Sequence, residues 1–336
     1  MADQDDEKQG ALALPSGPIR RALGSKPPPA NSLPALSRAT LKLVEASVEI
    51  RANPQAAELA FLSKLFVQAT LPHRNPGDIP LWTRTNGNLS LTIQQGEHSG
   101  KLVGYPYGSI PRLLLFWITA EALRTGKRRL ELGTSLHSFM SQLGLNPDNG
   151  SVGANRSDAR RLRDQMTKLF ASRISFSLSQ SDAQQTRHAW LRMEIAPEGE
   201  LWWSSRQPDQ GTLWGSWIEL GEKFYNAIIT HPIPLDMRAL NSLKRSPLAL
   251  DLYAWATYTA FIASKNGASR FVAWRWLHEQ FGAEYHDMKE FGRKARHALL
   301  KVEQVYPGLQ LLRPFPRGGV EILPSSRPAI AATTAK

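Results

Sequence analysis

Basic side chains are concentrated in two segments of this sequence, and their spacing suits binding to a polyanion. Residues 156–171 and 288–306 each repeat apolar side chains at helical spacing along one side. The basic residues beside or opposite these stripes are Arg156, Arg160, Arg161, Arg163, Lys168, Lys289, Arg293, Lys294, Arg296 and His297. Guanidinium groups bind phosphates and bridge guanine O6 and N7, so the predicted chemistry is hydrogen bonding to DNA.

An ordinary solvated helix face is the alternative for each segment, because charge runs of this kind are common on protein surfaces. Asp158 and Asp164 can also pair with Arg161 or Lys168, which neutralises part of the charge before any ligand arrives. Two such helices at the same place in a repeated order of elements favour the nucleic-acid interpretation.

The sequence lacks the residue patterns on which phosphate loops and nucleases depend. The string from Gly96 to Leu102 has the wrong spacing for a phosphate loop, and a leucine replaces the hydroxyl that binds Mg²⁺. None of the eight histidines forms the close pair that rolling-circle nucleases use for metal binding. His278 and His286 are more typical of core or surface positions than of ligands. We therefore predict no catalytic residue, no cofactor and no metal site.

Composition agrees with a folded nucleic-acid-binding protein. The 336 residues include 41 Lys+Arg against 29 Asp+Glu, a formal net charge of +12, and 42% are hydrophobic. The absence of cysteine excludes disulfides and thiolate metal sites and fits a reducing cytoplasm. The apolar run at 247–263 is short and contains Asp251, so we interpret it as a buried helix, not a membrane span. We expect a cytoplasmic protein without membrane contact.

One order of elements, predicted twice, positions the two basic helices. The first copy has helices at 112–125, 134–143 and 156–171, strands at 128–132, 173–178 and 190–195, and a turn-rich loop at 146–153. The second has helices at 247–263, 274–281 and 288–306 and strands at 270–272, 309–313 and 320–323. A helix-turn-helix followed by a β-hairpin is the order of a winged helix. The predicted fold class is therefore α+β, with tandem winged-helix domains.

The predicted hairpin tips carry further basic residues. Arg187 and His188 lie near the tip of the first wing, and Arg313 and Arg317 flank or occupy the tip of the second. Wing arginines enter minor grooves or bind phosphates, although hairpin tips are also charged simply for solubility. We include Arg313 and Arg317 among the candidate DNA contacts.

Four divisions of the chain follow from these patterns. Residues 1–37 form a flexible Pro-rich arm, 38–196 the first winged-helix domain with N-terminal helices and a hairpin, 197–323 the second domain, and 324–336 a flexible tail. Within them we predict a helix over 41–71 broken near Asn53-Pro54, a hairpin turn at 85–88, and a largely strand-like stretch at 214–224.

Several tryptophans sit in regular apolar patterns. They are Trp202, Trp203, Trp214, Trp217, Trp274 and Trp276. Exposed indoles can stack on bases, but the patterns favour packing in the core.

Long contiguous strings give the sequence a resemblance to one family. Residues 71–74 (LPHR), 82–93 (WTRTNGNLSLTI), 106–118 (PYGSIPRLLLFWI), 130–139 (LELGTSLHSF), 143–145 (LGL) and 161–170 (RLRDQMTKLF) carry it. They resemble the plasmid-encoded RepA replication initiators, over a match from about residue 71 to about 324.

The resemblance implies a theta-type initiator of plasmid replication. Such proteins bind repeated sites in double-stranded DNA at the plasmid origin, help open an adjacent AT-rich segment, and recruit the host initiator and replicative helicase. They often repress their own promoter as dimers. A plasmid-borne transcriptional regulator with the same DNA contacts is the alternative, and direct repeats beside an AT-rich stretch would distinguish the initiator from it. A primase or nuclease is a third interpretation, but the sequence lacks the metal-binding cluster that such an enzyme needs.

Overall fold

A computed structural model describes residues 37–147, 157–181, 185–202, 215–282 and 284–330. The predicted arm up to residue 36, the candidate Arg156, Trp203, Trp214 and residues 331–336 lie outside the described residues. Within the described ranges, no helix is both long enough and apolar enough to cross a bilayer.

Helices and short strands alternate along the described chain. The helices are α1 (Arg38–Ala52), α2 (Lys64–Gln68), α3 (Ser109–Thr125), α4 (Leu136–Gln142), α5 (Asp158–Ala171), α6 (Glu222–Thr230), α7 (Met237–Leu243), α8 (Pro247–Asn266), α9 (Trp274–Phe281) and α10 (Met288–Val305). The strands are β1 (Leu59–Ser63), β2 (Trp82–Asn86), β3 (Leu89–Gln94), β4 (Glu97–His98), β5 (Lys101–Leu102), β6 (Arg129–Glu131), β7 (Arg173–Ser181), β8 (Thr186–Glu194), β9 (Glu198–Glu200), β10 (Trp217–Glu219), β11 (Pro232–Asp236), β12 (Arg270–Ala273) and β13 (Gly319–Ile322). The predicted mixture of helices and sheets is confirmed.

Four strands form an antiparallel sheet in the order β2-β3-β7-β8. The hairpin predicted at 85–88 joins β2 to β3, and its Gly87 adopts a φ of 57°, which glycine tolerates without strain. Period-2 alternation points Ile93, Ile174 and Phe176 into the core, where Phe176 packs edge-on against Phe66 of α2. The opposite face of this sheet carries polar side chains.

The elements of the first predicted copy occur in the expected order, from α3 to β8. The short strand and the hairpin of this copy do not pair with each other, because they belong to two different sheets. β6 pairs with β10, which pairs with β9, whereas the β7–β8 hairpin joins β2 and β3.

The second predicted copy is also present in order, from α8 through β12, α9 and α10 to β13. β12 pairs antiparallel with β13, and Leu311 forms an isolated bridge to Ile322. The strand predicted at 309–313 is thus reduced to one bridge, flanked by hydrogen bonds from Leu312 N–H to the Glu321 carbonyl and from Leu323 N–H to the Gln310 carbonyl. Pro314 and Pro316 have no backbone N–H, so the pairing does not extend beyond residue 313.

Two predicted elements are wrong in part. The break predicted near Asn53-Pro54 is confirmed, since α1 ends at Ala52. Beyond the break, residues 59–63 form β1, which pairs with β11, and the chain returns to helix only in α2. In the described part of the stretch predicted as strand-like, residues 215–224, only β10 is a strand, since α6 begins at Glu222. In the predicted C-terminal tail, Ser326 is buried and the N–H of Arg327 donates to the carbonyl of Gly308, so this part packs against the body of the protein.

Helix α8 runs through the core, as its apolar sequence predicts. Most of its side chains are buried, including that of Asp251, which is only 4% exposed. A buried carboxylate is costly unless it is paired, and the pairing partner is Arg112 of α3. The Arg112 guanidinium donates to both Asp251 oxygens, at 2.7 and 2.8 Å, and to the carbonyls of Leu71 and Pro72.

A second buried pair adjoins the first. Arg84 of β2 donates to both carboxylate oxygens of Glu284, at 2.8 and 2.9 Å. His73 links the two pairs, because its Nε2 lies 2.7 Å from Asp251 Oδ2 and its backbone N–H donates to Glu284 Oε1 at 3.0 Å. Burial lowers the pKa of His73. Burial by itself would raise the pKa values of Asp251 and Glu284, but Arg112 and Arg84 respectively outweigh it and hold both below their usual range. We call these five residues the buried ionic cluster. It joins α3 and β2 to α8 and to the turn before α10.

Candidate nucleic-acid interface

Helix α5 is the first candidate recognition helix. Ser157 caps its start, with the side-chain oxygen accepting from the N–H of Arg160 at 3.2 Å. Ala159, Leu162, Met166 and Leu169 are buried, as the helical period predicts. Its basic side chains therefore lie on the outer side of the helix.

The basic side chains of α5 differ in their surroundings. Arg161 and Arg163 are exposed, whereas Arg160 and Lys168 are half-buried. The expected local pairing is confirmed: Arg161 lies 3.1 Å from Asp158, and Lys168 lies 2.7 Å from Asp164. A pair of this kind on an exposed helix contributes only about 0.3–0.5 kcal/mol, so a phosphate can compete for Arg161. The Lys168 side chain is only 15% exposed, and its ammonium lies 5.3 Å from the centre of the Tyr107 ring, so Lys168 is less accessible.

Helix α10 is the second candidate. Asp287 caps it by accepting from the N–H of Lys289 at 2.8 Å. Phe291, Ala295, Leu299 and Val302 are buried as predicted. Met288, predicted to belong to the same stripe, is instead 49% exposed, because it is the first residue of the helix and lies beyond the packed turns.

The candidate contacts on α10 point largely to solvent. Lys289, Arg293, Arg296 and His297 are exposed, and Lys294 is half-buried and 2.7 Å from Glu290. A groove of about 1030 Å³ runs between this helix and the β12–β13 ribbon, and Arg293, Arg296 and Phe271 are among its lining residues.

The basic residues of the predicted wings are placed less favourably for DNA contact than those of the two helices. Arg313 is bound to Glu303 and lies 3.9 Å from the centre of the Phe315 ring, so it already has partners within the protein. Arg317 is exposed in the turn before β13. His188 is paired with Ser179 inside the β7–β8 ladder, with its Nδ1 2.8 Å from the serine oxygen, and Arg187 is exposed beside it.

Basic loop residues that the sequence analysis did not single out lie between the two helices. Arg161 of α5 lines a pocket of about 380 Å³ together with Arg74, Arg245 and Pro247, the first residue of α8. A second pocket of similar volume joins the start of α8, at Ser246 and Leu248, to a row of basic residues on α10, namely Arg293, Lys294, His297 and Lys301.

Tyr285 connects the two pockets. The Arg74 guanidinium lies 5.7 Å from the centre of its ring, and the Lys294 ammonium lies 5.0 Å from it. We call Arg74, Arg161, Arg245 and Lys294 the bridging surface. Arg74 and Arg245 are isolated in loops 171 residues apart, so no local pattern identifies them, although Arg74 belongs to one of the strings that carry the resemblance.

The predicted burial of the tryptophans holds only in part. Trp274 is buried, but Trp202 is 56% exposed and Trp276 is 46% exposed, which corrects the core assignment for those two. Arg275 lies 4.8 Å from the Trp276 ring, an arrangement that also suits contact with nucleic acid.

The remaining titratable groups do not assemble a metal site in the ranges that the structure describes, where no group of three or more His, Asp or Glu residues is suitably placed. His278, predicted to be a core or surface histidine and not a ligand, has its Nε2 2.8 Å from the carbonyl oxygen of Tyr285. It therefore belongs to the packing of α9 against the turn before α10.

Comparison with known proteins shows one family and a distant similarity to solved structures. The model of the family described as "Plasmid encoded RepA protein" matches residues 105–276, just over half of the chain, from the loop before α3 to α9. No curated protein sequence matches. The crystal structure of RctB domains 2–3 is similar with a TM-score of 0.44 and 10% identity, over 77% of this chain and 95% of that one. A selenomethionine derivative of the same two domains gives a TM-score of 0.44 and 10% identity, over 75% and 93%. The match over α3, α4, α5, the β7–β8 hairpin and α8 shows that this chain belongs to the family of plasmid-encoded RepA proteins.

Proposed function

We propose that this chain initiates plasmid replication by binding repeated sites at the plasmid origin. Two winged-helix modules, residues 38–196 and 197–323, each direct one basic helix, α5 or α10, into a major groove. Binding promotes opening of an adjacent AT-rich segment and recruits the host initiator and replicative helicase. A dimer of the same chain represses its own promoter. The chain performs no chemical step itself, and host proteins supply ATP hydrolysis. Membership of the RepA family supports this role.

The bridging surface is the observation that carries the proposal. Two helices that read successive major grooves must span the phosphates between those grooves, and these phosphates require cations. Arg74 and Arg245 line one pocket with Arg161 of α5. The Tyr285 ring, 5.7 Å from the Arg74 guanidinium and 5.0 Å from the Lys294 ammonium, connects that pocket to the basic row of α10. A basic path therefore runs from one candidate helix to the other, as one continuous DNA site needs.

Footprinting of the full chain on DNA that surrounds its own gene tests the function. We expect protection of direct repeats beside an AT-rich segment, with about two successive major grooves covered per bound chain. Removing residues 1–37 should leave the footprint unchanged, because the candidate contacts all lie downstream. Protection of a lone inverted repeat over a promoter, with no direct repeats, would instead identify a transcriptional regulator.

Salt dependence measures how many phosphates the protein contacts. We expect log Kd to rise with log salt concentration with a slope of roughly 5–9, since about 6–10 phosphates are contacted. Arg245→Ala should reduce that slope by about one and weaken binding to all sequences alike, because it removes a phosphate contact and no base contact. Lys127→Ala, at an exposed position in the turn after α3, is the matched control. A slope near zero would exclude nucleic acid as the partner.

A further inference from the structure

The outward face of the β2-β3-β7-β8 sheet has an unusual composition. Pairing across the four strands sets its side chains in rows: Thr83, Thr92, Ser175 and Arg192 form one row, and Thr85, Ser90, Ser177 and Trp190 form the next. The third row continues on β7 and β8 with Ser179 and His188. Thr83, Thr85, Ser177, Trp190 and Arg192 are exposed on this face.

Most side chains on this face are short and end in a hydroxyl group. Thr83 and Thr92 oxygens lie 3.2 Å apart, those of Thr85 and Ser90 lie 3.0 Å apart, and those of Ser181 and Thr186 lie 3.1 Å apart. Serine and threonine side chains are short, so they leave a flat surface of donors and acceptors. We call this surface the hydroxyl floor.

One large aromatic ring stands at the edge of the hydroxyl floor. Trp190 is 69% exposed, more than any other large apolar side chain in the described ranges. Arg192 and His188 lie two residues away on either side of it, on the same face of β8. An indole left in water beside hydroxyls and cations has no packing role in the protein.

The charges on this face favour an anionic ligand. Among the outward-facing residues of the four described strands, Glu194 is the one carboxylate, and it lies 3.0 Å from Arg173. Arg192 has no ion-pair partner among the described residues. The floor also opens into a groove of about 840 Å³ that Thr92, Ser175 and Arg192 share with Arg128 and Lys223. Glu194 and Glu222 line the groove too, so its cations still exceed its carboxylates.

We propose that this face binds single-stranded DNA. The Trp190 indole stacks on a base, the hydroxyl floor hydrogen-bonds the sugar and phosphate groups, and Arg192 with the groove cations holds the backbone. A duplex does not fit, because each base in it is already covered on both faces by its neighbours. The sheet site shares no residue with α5, α10 or the bridging surface, so this inference does not rest on the proposed duplex contacts.

The test is the affinity of the full chain for a fluorescently labelled oligothymidylate, measured by anisotropy. Trp190→Ala should weaken binding about tenfold or more, the loss that follows from one stacked base. Trp190→Phe, which keeps an aromatic face, should restore most of the affinity. Trp202→Ala removes an equally large exposed indole outside the sheet face and should leave binding unchanged. Arg192→Gln should lower the affinity for the oligothymidylate and reduce the dependence of that affinity on salt concentration.

Duplex binding is measured on the same variants. Trp190→Ala should retain wild-type affinity for duplex DNA, and its thermal melting should be unchanged because the side chain is exposed. Equal oligothymidylate affinity for Trp190→Ala and wild type would overturn the proposal, as would an equal loss in Trp202→Ala. Parallel loss of duplex and single-strand binding in Trp190→Ala would also overturn it, since the face would then belong to a duplex site.

Discussion

Replacing Asp251 with alanine is expected to lower the free energy of unfolding by about 3–5 kcal/mol, because it leaves the Arg112 guanidinium buried without a counter-charge. His73 loses its Nε2 partner in the same variant. Domains of this kind are stable by only about 5–15 kcal/mol, so the loss is a large share of the total. Urea unfolding followed by circular dichroism at neutral pH measures it.

An exposed ion pair provides the control for this experiment. Glu131→Ala removes the partner of Arg129, 3.3 Å away and largely in solvent, and should change the free energy of unfolding by less than about 1 kcal/mol. If Asp251→Ala does not fold, the double variant Arg112→Met/Asp251→Leu should recover the fold, since it leaves no unpaired charge. An Asp251→Ala variant as stable as Glu131→Ala would show that the buried ionic cluster contributes little.

The second large effect concerns discrimination between DNA sequences. Arg293→Ala/Arg296→Ala on α10 should reduce affinity for the specific site by about 2–6 kcal/mol, roughly 30-fold or more, with a much smaller loss on random duplex. Arginine reads guanine through two hydrogen bonds, and both side chains are exposed along the groove beside β12. Arg160→Ala/Arg163→Ala on α5 should behave in the same way at the other half of the site.

Competition between labelled specific duplex and unlabelled random duplex measures this discrimination. Arg124→Ala/Lys127→Ala, at exposed positions near the end of α3, removes the same charge away from both helices and should leave the ratio of affinities unchanged. If both double variants on the helices keep the wild-type ratio, α5 and α10 do not read bases.

Local signals in the sequence predict the parts of this fold that rest on local physics. The 3.6-residue period places α5 and α10 and their buried faces correctly, and the Asn-Gly turn identifies the β2–β3 hairpin. The helix prediction fails at residues 59–63 for a physical reason. Their apolar sequence suits helix or strand equally, and the strand forms because β11, more than 160 residues downstream, supplies the hydrogen-bond partners.

The candidate site is predictable to the same extent. The basic residues of the two helices follow from periodicity, whereas Arg74 and Arg245 become neighbours of those helices only through the packing of α8. Arg84 shows the limit most clearly. It lies in a strand where threonine alternates with larger residues, and only the fold reveals that it points inward to Glu284.

The buried ionic cluster also bears on when the chain completes its folding during synthesis. The pairing partner of Arg112 is Asp251, which is synthesised 139 residues later, and the partner of Arg84 is Glu284, which is synthesised 200 residues later. At about 5–20 residues per second, a ribosome needs roughly 7–28 seconds to synthesise the chain from Arg112 to Asp251. During that interval both guanidiniums remain hydrated and the surfaces around them stay open. The amino-terminal half therefore reaches its final packing only when nearly all of the chain has been translated, and a prematurely terminated product lacks the groups that close its core.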